Sequence, residues 1–144
     1  MFTSIVVGTD GSETADAAVE QAARLAEMCG ARLHLVCAYR STLNLAAMAP
    51  EAAALAPSDD DLREHSRSII DAVADRFRGR GLAVEAHACA GNPADALISV
   101  AEANKADLIV VGSRGMTGAR RLLGSVPNNV AHHAPCTVMI VHTG

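Results

Sequence analysis

The run Leu108-Ile109-Val110-Val111 is short, wholly apolar and lacks the alternation of a half-solvated strand. Such a run reads as a strand covered on both faces, as in parallel sheets with helices above and below. Ile5-Val6-Val7 reads the same way and ends at Gly8-Thr9-Asp10-Gly11-Ser12, a turn whose Ser12 can N-cap a helix. Ala18, Val19, Ala22, Leu25, Ala26 and Cys29 then share one helical face, with Gly30 as the stop.

The same alternation continues along the chain. Leu33 to Tyr39 is a second strand, and Leu62, Ile69, Ile70, Val73 and Phe77 mark a helix stopped by Gly79 and Gly81. Leu82 to Ala88 is a third strand. Asn92-Pro93 supplies an N-cap and a first helical residue ahead of a stripe of Ala94, Leu97, Ile98 and Ala101. A last helix starts near Ser125, and Cys136 to His142 forms the final strand. Residues 40–59, rich in Ala and Pro and without a period, form a long excursion with room for a short helix and the character of a lid. The order βαβαβαβαβ implies a parallel sheet with right-handed crossovers, and 144 residues without an internal repeat fit one domain, 1–144.

Composition narrows the function. Phe2, Phe77 and Tyr39 are the only aromatic residues besides histidine, so the core is aliphatic and no platform exists for stacking several bases. A net charge of −4 offers no basic footprint for nucleic acid. No apolar stretch approaches the roughly 20 residues of a membrane span. The opening MFTSIVVGTDGS carries no basic region ahead of its apolar run and does not read as a signal peptide. Cys29, Cys37, Cys89 and Cys136 lie far apart in apolar contexts and read as core residues of a reducing, cytoplasmic compartment.

Open parallel sheets bind ligands beyond the carboxyl ends of their strands. Two loops have suitable residues there. In the second, from Gly112 to Ser125, glycines 112, 115, 118 and 124 let backbone N–H groups converge on an anion. Gly124-Ser125 leads into a helix N-terminus with free donors, the Ser113 and Ser125 hydroxyls add hydrogen bonds, and Arg114 supplies a fork for phosphate oxygens. In the first loop, Asp10 can accept from ribose hydroxyls or help hold a divalent cation, and it can equally form an Asx turn into the first helix. His132-His133 complement a helix dipole, and Asp59-Asp60-Asp61 do so at the opposite kind of terminus. His34 and His87 belong to separate strands, with no ligand partner that the sequence assigns. There is no Ser–His–Asp order, no H-E-x-x-H and no G-x-x-x-x-G-K-[ST].

The stretches IVVGTDGSETADAAVEQAARLA and ADLIVVGSRGMTGARRLLGSVPNNVAHHAPCTVMIVHTG, with the spacing between them, resemble the universal stress protein family over the whole chain. The block containing GSRG, LLGSV and HHAPC carries most of the likeness. The resemblance implies a five-stranded parallel sheet of order 3-2-1-4-5 with helices on both faces, Rossmann-like, and a homodimer paired through strand 136–142. It implies ATP, AMP or cyclic AMP as ligand, with Mg²⁺ accompanying ATP. The family's G-x2-G-x9-G-[ST] motif maps to Gly112, Gly115, Gly124 and Ser125, with Arg114 inside it and Val126 after it. Thr9, Asp10 and the backbone of Ala38 would serve the adenosine. The sequence has eight residues between Gly115 and Gly124 where the motif has nine, a loss that bears on a triphosphate more than on a monophosphate.

Three readings follow. The first is an adenine-nucleotide-binding stress or signalling dimer without efficient catalysis. The second is a ligand-free interaction protein of the same fold. The third is a slow Mg²⁺-dependent ATPase, with Asp10 at the metal and Arg114 at the phosphates.

Overall fold

In the computed structural model, which describes residues 1–40, 49–113 and 125–143, five parallel strands form one sheet of order β3-β2-β1-β4-β5. The strands are β1 (Ser4–Gly8), β2 (Arg32–Tyr39), β3 (Val84–Ala90), β4 (Leu108–Gly112) and β5 (Thr137–Val141). The helices are α1 (Glu13–Cys29), α2 (Pro50–Leu55), α3 (Asp59–Arg78), α4 (Pro93–Ala103) and α5 (Ser125–His133). The strand order is the one the resemblance implied.

Alternate residues of each central strand enter different cores. Ile5, Val7, Leu33, Leu35, Leu108 and Val110 face α1 and α3, where Ala22, Ala26, Ile70 and Phe77 are fully buried. Val6, Val36, Ile109 and Val111 face α4 and α5. With both faces covered, every position of β4 before Gly112 is buried, which accounts for its unbroken apolar run. Three free cysteines, Cys37, Cys89 and Cys136, sit in or against these cores, and burial pushes their thiols up, away from the reactive thiolate.

Local chemistry sets the boundaries. Ser12 caps α1 by accepting from the Ala15 N–H, and Gly30 closes the helix at φ 68°. Ser58 caps α3, whose first turn carries Asp59, Asp60 and Asp61. The Asn92 side chain accepts from the Ala94 and Asp95 N–H groups ahead of Pro93 at the start of α4. β3 begins two residues later than the apolar pattern suggests. The Leu82 N–H is drawn back to the Phe77 carbonyl around Gly81 at φ 86°, which spends residues 79–82 on the helix exit. The excursion after β2 contains the short helix α2, and its residues 41–48 lie outside the described part. No described helix is long and apolar enough to cross a membrane.

Candidate functional site

A cleft of about 500 Å³ opens at the carboxyl ends of β1, β2 and β4. The strand order reverses direction between β1 and β4, and a crevice at such a point is where open α/β sheets take ligands. Small-molecule pockets run from about 300 to 1,000 Å³. Val36, Ala38, Leu97 and Val111 give this one an aliphatic floor, while Thr9, Asp10, Ser12 and Thr14 line it with polar groups.

The loop after β1 is ordered by its own side chains. Thr9 Oγ1 accepts from the Gly11 N–H at 3.0 Å, Asp10 Oδ1 accepts from the Ser12 N–H at 2.9 Å, and Ser12 in turn caps α1. Hydrogen bonding from Ser12, first from its side chain and then from its N–H, holds the Asp10 carboxyl below the usual carboxylate range, against an upward push from burial that is smaller than the downward pull of the side-chain bond. Gly11 makes the turn possible with φ 84°, a conformation open to glycine at no steric cost.

β2 outruns β1. Gly8 pairs with Val36, and the Thr9 N–H adds one more bond to the Val36 carbonyl. Residues two apart on a strand point their backbone groups to the same side, so the N–H and C=O of Ala38 face the β1 side one step beyond the last rung. Gly8 is hemmed in from the other direction, since a Cβ there would stand 3.3 Å from Leu97 Cδ2.

Across the cleft, Gly112 ends β4 and Val126 and Pro127 come from the first turn of α5. Pro127 is tolerated there because first-turn N–H groups have no helical partner. The strip after Gly112 is tied to the last strand. The Ser113 N–H donates to the Val141 carbonyl at 2.8 Å, and the Thr143 N–H donates to Ser113 Oγ at 3.1 Å.

Five residues singled out from the sequence therefore line one cleft: Thr9, Asp10, Ala38, Gly112 and Val126. Ser125 opens α5 beside it. Arg114, Gly115 and Gly124 lie outside the described residues. The sequence reading missed Thr14, Pro93 and Leu97, which reach the cleft from α1 and α4. Asn92-Pro93 signalled a helix start, but only the sheet order brings that start to the mouth of the cleft.

These features define a doubly wound α/β domain with a cleft of small-molecule size at the switch in strand order. The chain belongs to the universal stress protein family, whose family model matches residues 1–142. It is 37% identical to universal stress protein Rv1636 of Mycobacterium tuberculosis H37Rv over 150 residues, covering 99% of this chain and 97% of that one. A universal stress protein crystallised in complex with cAMP superposes with a TM-score of 0.76 at 35% identity, covering 99% of both chains. The universal stress protein from Archaeoglobus fulgidus in complex with dAMP shares the fold, with a TM-score of 0.71 at 22% identity and 96% of both chains covered.

Proposed function

We propose that this chain binds an adenine nucleoside monophosphate, cyclic AMP or AMP, and works as a stress-response or signalling homodimer without efficient turnover. The observation that carries the reading is the cleft itself. It sets a carboxylate, Asp10, beside a strand end at Ala38, opposite Gly112 and the start of α5. An ionised Asp10 accepts from the ribose hydroxyls, two in AMP and the 2′-hydroxyl alone in cyclic AMP, a charge-assisted contact worth about 1.5–3 kcal/mol. The adenine edge, with one donor and one acceptor, matches the backbone pair of Ala38, and its faces pack on Val36 and Leu97. The phosphate falls to Gly112, Arg114, Gly115, Gly124 and the Ser125 hydroxyl at the positive end of α5.

Two observations favour a monophosphate over ATP. The solved structure at 35% identity is a complex with cAMP, and the loop between Gly115 and Gly124 is one residue short of the triphosphate-binding pattern. Among the described cleft residues Asp10 is the only titratable side chain, so no second group is in place to act as a general base.

The dimer would form through β5. Among the described residues this strand is at the sheet edge and pairs only with β4, and it exposes 37% of Ile140. An apolar edge invites pairing with a second copy.

Calorimetric titration with cAMP, AMP and ATP, on wild type and Asp10→Ala, tests the binding. Saturable heat with cAMP or AMP, weakened roughly tenfold or more by Asp10→Ala, is expected. Absence of heat with all three at millimolar concentration would leave the ligand-free interaction protein as the reading. Magnesium-dependent phosphate release from ATP that Asp10→Ala abolishes would replace it with the slow ATPase.

A further inference from the structure

Away from the cleft, β2 and β3 bring three electron-pair donors to one point. His34 and Glu85 are register partners, and His87 stands two residues beyond Glu85 on the same face of the sheet. His34 Nδ1 lies 3.1 Å from His87 Nε2 and 3.1 Å from Glu85 Oε2, and His87 Nε2 lies 4.0 Å from that same oxygen. A single point is ~2.0 Å from all three atoms, the bond length of zinc to imidazole nitrogen and carboxylate oxygen.

Burial divides the roles. The His34 side chain is 2% exposed and fixed in the sheet, whereas His87 and Glu85 are 26% and 44% exposed on the edge strand. The point is reached from solvent past the latter two. The other oxygen of Glu85 is held by Arg32 at 3.2 Å, the kind of outer contact that orients a ligating carboxylate.

We propose that His34, Glu85 and His87 form a binding site for a divalent transition ion of the zinc type, with a fourth position taken by solvent water. Two imidazoles and one carboxylate suit Zn²⁺ and its neighbours Co²⁺, Ni²⁺ and Cu²⁺, whereas Ca²⁺ and Mg²⁺ require oxygen donors. Without an ion, the two facing nitrogens share one proton in an N–H···N contact, with Glu85 Oε2 as a further acceptor of the His34 proton. The ion takes the place of that proton, which moves to the other nitrogen of its own ring.

The adjustment needed is small. The two rings meet nearly nitrogen to nitrogen, with centroids 5.3 Å apart and planes tilted by 33°. His87 turns to aim its lone pair at the ion, the 3.1 Å edges open toward the ~3.4 Å of a tetrahedral site with ~2.1 Å bonds, and the 4.0 Å edge between His87 and Glu85, both on the exposed strand, closes to match. His87 is the register partner of Val36, which lines the cleft, yet none of the three ligands lines it. The ion site therefore stands or falls independently of nucleotide binding.

The test uses tag-free, chelator-stripped protein without nucleotide. Zinc chloride is titrated calorimetrically, and Co²⁺ is followed by visible absorption. One equivalent of Zn²⁺ is expected, with affinity falling about tenfold or more in both His87→Gln and Glu85→Gln. Bound Co²⁺ should give ligand-field bands of a four-coordinate ion and no sulfur-to-metal charge-transfer band. Circular dichroism melting without metal verifies that the variants are folded. If Glu85→Gln melts early because Arg32 has lost its partner, His87→Gln alone decides. No saturable binding, equal affinity in His87→Gln, or a sulfur band that moves the ion to a cysteine would each overturn the site.

Discussion

The N–H of Thr9 donates to the carbonyl of Val36 at 2.9 Å, one residue beyond the end of β1. This bond fixes the gap into which Ala38 points its own backbone. If Ala38 reads an adenine edge, it does so with main-chain atoms, so the identity of its side chain should matter little. Ala38→Gly should bind cAMP or AMP close to wild type. Ala38→Pro removes the Ala38 N–H that faces the gap while sparing the ladder to β3, which uses the residues on either side. A neutral hydrogen bond is worth about 0.5–1.5 kcal/mol, so affinity should fall several-fold in the proline variant. Titration calorimetry of the pair decides, and equal binding by both would remove Ala38 from the site.

Gly11 is held at φ 84°, and a Cβ there would stand 2.9 Å from Ile69 Cγ2 on α3. Gly11→Ala thus meets two separate obstacles. A left-handed conformation costs a non-glycine residue about 1–2 kcal/mol, and the contact forces Ile69 or the loop to shift. Thr9, Asp10 and Ser12 hang on this turn through hydrogen bonds, so nucleotide affinity should drop along with the melting temperature. Adding Ile69→Ala should relieve the steric part and leave the backbone part. A double variant no better than Gly11→Ala, once the cost of Ile69→Ala alone is allowed for, would show that the contact is not felt.

The strands were legible because doubly buried runs such as Leu108–Val111 have few other readings, and the helices because capping residues such as Ser12 and Asn92 announce them. The polar loop after β1 was legible for the same reason, since glycines and hydroxyls following a buried strand are unusual, whereas most of the second glycine-rich loop lies outside the described residues. What the sequence hid was adjacency. Leu97 and Pro93 reach the cleft only because α4 packs on the face that carries Val36, a matter of crossover and strand order. His34 and His87 are 53 residues apart and meet only through the β2–β3 register. Residues used in helix exits were misjudged too, since the N–H groups of Gly81 and Leu82 turn back to the carbonyls of Arg78 and Phe77 before β3 can begin.

Ile140 offers a direct handle on the proposed dimer. It is 37% exposed on the outermost strand, where a second copy of β5 would cover it. A charge there would have to be buried at such an interface, which is strongly unfavourable without a partner. Ile140→Lys should therefore convert the homodimer to monomer in light scattering at micromolar concentration, while the monomer keeps its fold because the position lies outside both cores. A wild type already monomeric, or a variant still dimeric, would place the dimer elsewhere or nowhere.

Asp107 pins the start of β1 to the start of β4. Its carboxylate accepts from the Thr3 N–H at 2.9 Å, the Ser4 N–H at 3.1 Å and the Thr3 hydroxyl at 3.2 Å. Burial pushes this carboxyl upward, but the hydrogen bonds from Ser4 and Thr3 outweigh it and leave the group below its ordinary 3.8. A carboxyl whose folded value is depressed stabilises the fold above its unfolded value and loses that contribution as pH falls through the folded value. Asp107→Asn keeps the shape and removes the charge, so it should unfold at lower urea than wild type from pH 7 down to about pH 5. The gap should then close progressively below pH 3.8 as the wild-type carboxyl takes up its proton. A gap that stays constant from neutral to acid pH would mean that the charge of Asp107 contributes nothing and that the loss comes from the acceptor oxygen the amide replaces.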